Sequence, residues 1–361
     1  MYIYHMKRLI LLVSIVYLGC NKLPLGEDEL QSRGDFESIT LDLPLYTSFT
    51  ESKTIPLGTS QNLILGKNSK YQSRIILSFT FSDTTYQGLD QIKLILFKNK
   101  NFNNDTLHFS VHVLTNEFSE LDATWYKKDN TDLWKNPGGD FEIDSLRMGE
   151  IKGDSCVVFF NYVDLSEIRN GKGVILIPQD TGFWSFYARE AGKSPLFYLV
   201  KNGVVTSIPI KADCHIVKID TFPNYWENWL GSGVAFRNYV KFSYDTLLND
   251  TRAIYGELTF KAKGHYGFRD SIEIGVKALI KPYSGFDTEL GPLIALKQFA
   301  LTDTIFLLDI VQYVQRIIEH PDSNFGMFIY LSPENYDIAN LELTSGSHQL
   351  RVGYIQPPKQ R

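Results

Sequence analysis

Asp122 to Phe141, DATWYKKDNTDLWKNPGGDF, decides the fold. It carries Trp125 and Trp134 and closes on the turn Pro137-Gly138-Gly139-Asp140. Just upstream, Leu107-His108-Phe109-Ser110-Val111-His112-Val113 alternates apolar and polar residues with the period of two that a half-buried strand requires. A strand followed by a long, aromatic-anchored crossover is the pattern of a β-sandwich whose core end must be sealed. The two tryptophans are therefore expected to plug that core. Asp140 is expected to brace its turn through its carboxylate, and with neighbouring carbonyls it is also a weak calcium candidate.

Short strands extend outward on both sides. Asn62–Gly66, Arg74–Phe81 and Ile92–Phe97 precede the crossover. Asp140–Met148, Ser155–Phe160 and Gly173–Pro178 follow it, and Pro195–Val200 is expected to end the first half. Asp164-Leu165-Ser166-Glu167 has capping-box spacing and predicts a helix starting at Asp164. His108 and His112 share one face of their strand about 13 Å apart by strand rise, too far to share a metal, and are read as solvent-facing. Cys156 heads an apolar strand as a buried thiol, and bridging to Cys214 is the alternative.

The second half repeats the plan. Arg237-Asn238-Tyr239-Val240-Lys241-Phe242-Ser243-Tyr244 echoes Arg74-Ile75-Ile76-Leu77-Ser78-Phe79-Thr80-Phe81. Glu257–Phe260 follows as Ile92–Phe97 does. Asp309 opens a helical pattern with apolar residues at 310, 311, 314, 317 and 318 that Pro321 stops. Asn324–Tyr330 parallels Asn170–Ile177, and Leu350–Ile355 parallels the strand after Pro195. The expectation is an all-β chain of two tandem antiparallel, jelly-roll-like β-sandwiches, each with one short helix, spanning 39–203 and 204–361.

The N-terminus reads as targeting sequence. Lys7-Arg8 precede an apolar run, Leu9–Leu18, too short for a stable membrane anchor. Gly19-Cys20 ends the run in the manner of a bacterial lipobox, so residues 1–20 are expected to be a lipoprotein signal peptide with Cys20 the lipidated residue. Residues 21–38, polar and charged, are expected to be a tether. The expected address is the bacterial cell envelope, lipid-anchored to a membrane and either periplasmic or surface-exposed.

The bulk numbers narrow the function. A chain of 361 residues with 43% hydrophobic and 21% charged content is ordinary for two globular domains. A formal charge of -5 with no basic stripe argues against nucleic acid as a partner.

The first half, over residues 40 to 201, resembles the DNRLRE family of bacterial extracellular β-sandwich domains, which is related to carbohydrate-binding modules. The resemblance rests on the order of Ser73–Phe79, Ile92–Leu96, the Ala123-Thr124-Trp125 to Trp134 to Pro137–Phe141 crossover, and Pro195-Leu196. The hexapeptide that names the family is absent. The second half keeps the Arg-to-Phe strand, the helix and the closing strand but lacks the crossover motif. The resemblance implies a secreted or surface-attached module, often non-catalytic, on polysaccharide-active proteins.

No motif for zinc hydrolysis, a nucleophile elbow, a phosphate loop or a thiol redox pair occurs, so no enzymatic activity is expected. Sugar binding rests on exposed aromatics and charged groups. In Phe222-Pro223-Asn224-Tyr225-Trp226-Glu227-Asn228-Trp229 the candidates are Tyr225, Trp226 and Trp229, with a core cap as the alternative reading. In Phe183-Trp184-Ser185-Phe186-Tyr187-Ala188-Arg189 they are Trp184, Tyr187 and Arg189, because alternation leaves one set free to face solvent. The recurrent Asp-Thr/Ser-aliphatic triplet, as in Asp270-Ser271-Ile272, resembles an O-glycosylation signal of bacterial exported proteins and equally suits a turn entering a strand. The ligand expected from all this is polysaccharide. A structural or adhesive role through protein contacts is the alternative.

Overall fold

Alternation of apolar residues builds two sheets, and their connectivity is less simple than a tandem pair. The computed structural model describes residues 37–82, 86–102, 106–220, 228–244 and 251–356. The expected signal peptide with Cys20, most of the expected tether, Tyr225 and Trp226 lie outside the described residues. In chain order the strands are β1 (Glu37–Leu43), β2 (Leu45–Thr54), β3 (Asn62–Lys67), β4 (Tyr71–Phe79), β5 (Gln91–Phe102), β6 (Thr106–Val113), β7 (Arg147–Lys152) and β8 (Ser155–Phe160). Helix α1 (Tyr162–Asn170) follows, then β9 (Val174–Pro178), β10 (Gly182–Tyr187), β11 (Leu196–Lys201), β12 (Val204–Ile208) and β13 (Ile210–Ile219). The remainder is β14 (Asn228–Ser232), β15 (Val234–Phe242), β16 (Arg252–Gly267), β17 (Ser271–Leu279), β18 (Leu290–Ala300), β19 (Ile305–Asp309), helix α2 (Val311–Glu319), β20 (Met327–Leu331), β21 (Ala339–Leu343) and β22 (Gln349–Gln356). Among the described residues the chain is all-β, with two short helices and two curled antiparallel sheets of eleven strands each.

One sheet holds β3 to β13, and the other holds β14 to β22 together with β1 and β2. Each closes around its own core. Leu94, Phe109, Val158, Leu176 and Trp184 belong to the first core, and Phe260, Ile274, Phe306, Ile329 and Leu341 to the second.

The expected boundary at 203/204 is therefore corrected. β1 and β2 lie in the second sandwich, where β1 pairs with β22 and β2 with β15. β12 and β13 lie in the first, where they pair with β11 and β4. Residues 37 and 38, assigned to the tether, already belong to β1.

The two sandwiches are topological copies. The pairings of β4 with β3, β9 and β13 recur as those of β15 with β14, β20 and β2. Fine irregularities recur too. A bulge between Ile210 and Ala212 against β4 is matched by one that pairs Thr47 with Lys241 and Leu45 with Phe242. The bulge of β10 on β5 is matched by that of β16 on β21. The repeat unit is thus eleven strands, β1–β11 and then β12–β22, and each copy gives its first two strands to the other. Register is expensive to change in buried strands, so shared bulges mark the two donated pairs as equivalent.

Both helices depart from the predicted caps. Asn161 caps α1 and Asp164 is its N3 partner, since the Asn161 side chain accepts from the Asp164 amide and the Asp164 carboxylate accepts from the Asn161 amide. The predicted start is late by three residues because Asp164 serves as the acidic half of the box. At α2 the Asp309 carboxylate accepts from the Val311 amide at 2.9 Å, and Tyr313, Val314, Ile317 and Ile318 are buried. The expected strand Asp140–Met148 shrinks to β7, which begins at Arg147. Val200 does not end the first half, because β12 and β13 follow.

The crossover covers an outer face. Leu77 and Ile75 of β4 point into the sandwich core, whereas Ile76 packs with Ile175, Cys214, Ile216, Trp125 and Trp134. The tryptophans are thus not an end plug; they lie over the far side of the sheet. Arg74 crosses this layer, with its guanidinium 4.7 Å from the Trp125 ring and donating to the Gly138 carbonyl at 2.7 Å. A Cβ on Gly138 would come within 2.7 Å of that guanidinium, and its φ of +93° suits glycine alone. In the second sandwich Arg237 stands in the same place, 4.1 Å from the Phe286 ring, and pairs with Glu334. Phe286 takes the place of Trp125 in a shorter crossover.

Candidate binding site at the junction of the sandwiches

The sandwiches meet through a third apolar cluster. Leu57, Ile64, Tyr71, Phe183, Val217 and Ile219 of the first side pack on Trp229, Val234, Phe236, Phe268 and Ile338 of the second. Tyr71 and Tyr266 stack at 5.9 Å. The Tyr71 hydroxyl accepts from Asn340 at 2.7 Å and the Tyr266 hydroxyl from Asn68 at 2.9 Å. Burial pushes the Tyr71 phenol up to about 12, so it stays a neutral hydrogen-bonding group.

Beside this contact lies a cleft of about 440 Å³. β3, β5 and β10 supply Asn62, Asn99, Lys100 and Ser185. The segment entering β17, with β18 and the loop after β20, supplies Arg269, Asp270, Glu273, Gln298 and Tyr336. Its floor is fixed. Arg269 pairs with Asp337 at 3.0 Å, donates to the Ser332 carbonyl at 2.6 Å and also donates to the Pro333 carbonyl. Both partners of that pair are buried, so the geometry is held by an ion pair whose remaining donors are also used. Asn62 accepts from Asn99 at 2.6 Å, and Lys100 meets Asp270 at 2.5 Å across the junction. That pair is exposed and adds little stability; it lies where a ligand would replace it. Amide, hydroxyl, ammonium and carboxylate groups in one cleft suit a hydroxyl-rich ligand better than an apolar one.

The residues singled out from sequence lie elsewhere. Trp184 is 1% exposed, inside the first core beneath Lys98 at 4.5 Å. Phe183 and Phe186 are buried as well, since both faces of β10 are covered, one by the core and one by the junction. Trp229 is 7% exposed in the junction, with Lys70 at 5.1 Å over its ring, so it caps a core. Tyr187 is half-buried under Lys193. Arg189 is engaged with Glu120 at 2.6 Å. None of these forms an open stacking platform.

The Asp140 carboxylate accepts from Asn116 and from the amides of Lys135 and Asn136 at 2.8–3.0 Å, so it braces its turn and its oxygens are committed. His108 pairs with Asp180 at 2.5 Å. His112, expected in solvent, is buried between Ser110 and the Glu142 carbonyl because the crossover covers its face. Cys156 and Cys214 are free and buried in different clusters.

A second surface stands out. Val157 and Phe159 of β8 are 37% and 58% exposed, and Val205 of the edge strand β12 is 57% exposed. The matching register places Asp309 and Thr40 where Phe159 and Val205 stand.

No protein-family model and no curated protein matches the chain. Among solved structures, procruciferin, an 11S globulin from Brassica napus, aligns over 90% of this chain and 84% of its own at 6% identity and a TM-score of 0.11. A score that low carries no argument about fold or function.

Proposed function

We propose that the protein is a non-catalytic cell-envelope lipoprotein that binds carbohydrate in the cleft between its sandwiches. The observation that carries this is the polar lining of the cleft. Asn99, Lys100, Asp270, Glu273 and Gln298 offer donors and acceptors in the mixture that sugar hydroxyls satisfy, with Tyr336 as an aromatic beside them. The resemblance of the first half to DNRLRE domains and the lipobox-like Cys20 support the same reading. β1 and β2 belong to the second sandwich, so an anchor at Cys20 would attach through the tether to that sandwich. A glycan array probed with the chain from residue 21 tests the proposal. Binding to a defined neutral or acidic glycan is expected, and a blank array with undiminished binding to whole cells would overturn it.

One observation favours a second reading, a structural or adhesive role. Phe159, Val157 and Val205 leave an apolar face beside the edge strand β12, at positions that the other copy fills with Asp309, Leu307 and Thr40. Edge strands without charges are templates for pairing.

A further inference from the structure

Away from the cleft, three segments bring oxygen atoms together. Glu120 comes from the crossover, Glu190 from the turn after β10, and Asp213 and Lys211 from the donated strand β13. One carboxylate oxygen from each of Glu120, Glu190 and Asp213 lies within 4.8 Å of the others. A cation already sits among them. The Arg189 guanidinium meets Glu120 at 2.6 Å and Glu190 at 3.7 Å and donates to the Lys211 carbonyl at 2.7 Å. One guanidinium does not balance three carboxylates.

The imbalance falls on Asp213. Its side chain is 1% exposed. Its Oδ2 accepts from the Arg189 amide at 2.9 Å, but its buried Oδ1 receives no donor, and the neighbouring side chain there is another carboxylate, Glu120. An undonated, buried carboxylate oxygen is costly unless a proton or a cation meets it. The Arg189 side chain is 39% exposed, so its guanidinium borders solvent on one side. Its departure would release Glu120 and the Lys211 carbonyl as further ligands.

We propose that Glu120, Glu190 and Asp213, with the Lys211 carbonyl, bind a divalent cation of calcium's size in exchange for the Arg189 guanidinium. All four groups are hard oxygen ligands, as calcium and magnesium prefer. Size separates the two. Ligands on opposite sides of calcium stand roughly 4.6–5.2 Å apart, and those around magnesium about 4.0–4.2 Å apart. The carboxylate oxygens lie within 4.8 Å of one another, a span one calcium ion can bridge, whereas magnesium demands near-ideal octahedral geometry and dehydrates reluctantly. The ion would fasten the crossover and the turn after β10 to β13, the strand that the second repeat donates.

The test is calorimetric titration of the full chain with CaCl2 at pH 8, paired with thermal melting. One site per chain is expected, with Tm raised by roughly 3–8 °C at a hundredfold excess over Kd. Glu190→Gln, a near-isosteric change at a side chain 29% exposed, should weaken calcium about tenfold or more. Asp213→Asn should abolish the Tm shift, and Arg189→Met should tighten binding by removing the competing charge. MgCl2 should act more weakly. The absence of heat and of any Tm shift in the wild type would overturn the proposal. Equal calcium responses in wild type and Glu190→Gln would overturn it as well, by placing the ion elsewhere. A wild type without calcium response, together with a higher Tm in Asp213→Asn, would show that a proton alone meets Asp213 and would overturn the proposal.

Discussion

Pro44 and Pro209 occupy the same place in opposite sandwiches. Each joins a donated strand pair, and each carbonyl accepts an amide just beyond the recipient strand at 2.9 Å, Ser243 for Pro44 and Thr80 for Pro209. Proline lacks an amide and fixes φ, so it suits a corner where the chain leaves one ladder for the next. The equivalence makes the two donated pairs, 37–54 and 204–219, reciprocal parts of one design.

Exchange makes the halves dependent on each other. Cutting the chain at 203/204 leaves each fragment without two strands of its own sandwich and with two of its partner's. Fragments 21–203 and 204–361 are each expected to lack a cooperative thermal transition, and to recover one when refolded together. Circular dichroism melts check this. A fragment that melts cooperatively alone would show that its sandwich does not need the donated pair.

The outer layer is expected to be costly to remove. Trp125 is 4% exposed and stacked under Arg74, so Trp125→Ala should destabilise by about 3–5 kcal/mol. Trp134 also donates to the Thr124 carbonyl at 2.9 Å. Urea unfolding measures the change, and a loss near zero at Trp125 would mean that the crossover is ornamental.

Two kinds of buried group give stability opposite pH slopes. Burial, aided by Glu120 and Glu190, pushes Asp213 up to about 7. Its folded value exceeds the unfolded one, so its contribution is complete below about pH 4 and is lost as pH rises towards 7. Burial pushes His215 down to about 3 and His348 to about 4. Their contribution is present above about pH 6.5 and is lost as pH falls through those folded values. Asp213→Asn mimics the protonated carboxyl, so the wild type should match it near pH 4 and fall progressively below it from pH 4 to 7 in calcium-free buffer. A flat difference would contradict the burial of that carboxyl.

Burial also silences the thiols. Burial pushes Cys156 up to about 12 and holds Cys214 well above the ordinary thiol value. A thiolate reagent at pH 8 should label neither in the native protein and both in guanidinium chloride. They lie on different faces of the sheet and should not bridge on oxidation.

Much of the fold was legible because Arg74 and Arg237, with their following strands, repeat in residues as well as in periodicity. The exchange was not. Pro44 and Pro209 read as ordinary turn residues, and nothing local to β1 or β12 tells which sandwich completes which. Alternation at Phe183–Tyr187 suggested one wet face, but a second layer covers it, and a period of two cannot report what lies over a strand's far side. The cleft escaped notice because Lys100 and Asp270 come from different repeats, and only the joined sandwiches bring their side chains together.

Binding of an array-positive glycan to the wild-type chain and to Asn99→Ala/Gln298→Ala, compared by calorimetry, tests the central claim most directly. Both positions line the cleft and lie outside the apolar cores. The account predicts a loss of about tenfold or more in affinity, two hydrogen bonds' worth, with a cooperative thermal transition retained and Tm lowered by no more than the lost Asn99–Asn62 hydrogen bond. Full affinity in the variant would place the sugar elsewhere and contradict the cleft as the site.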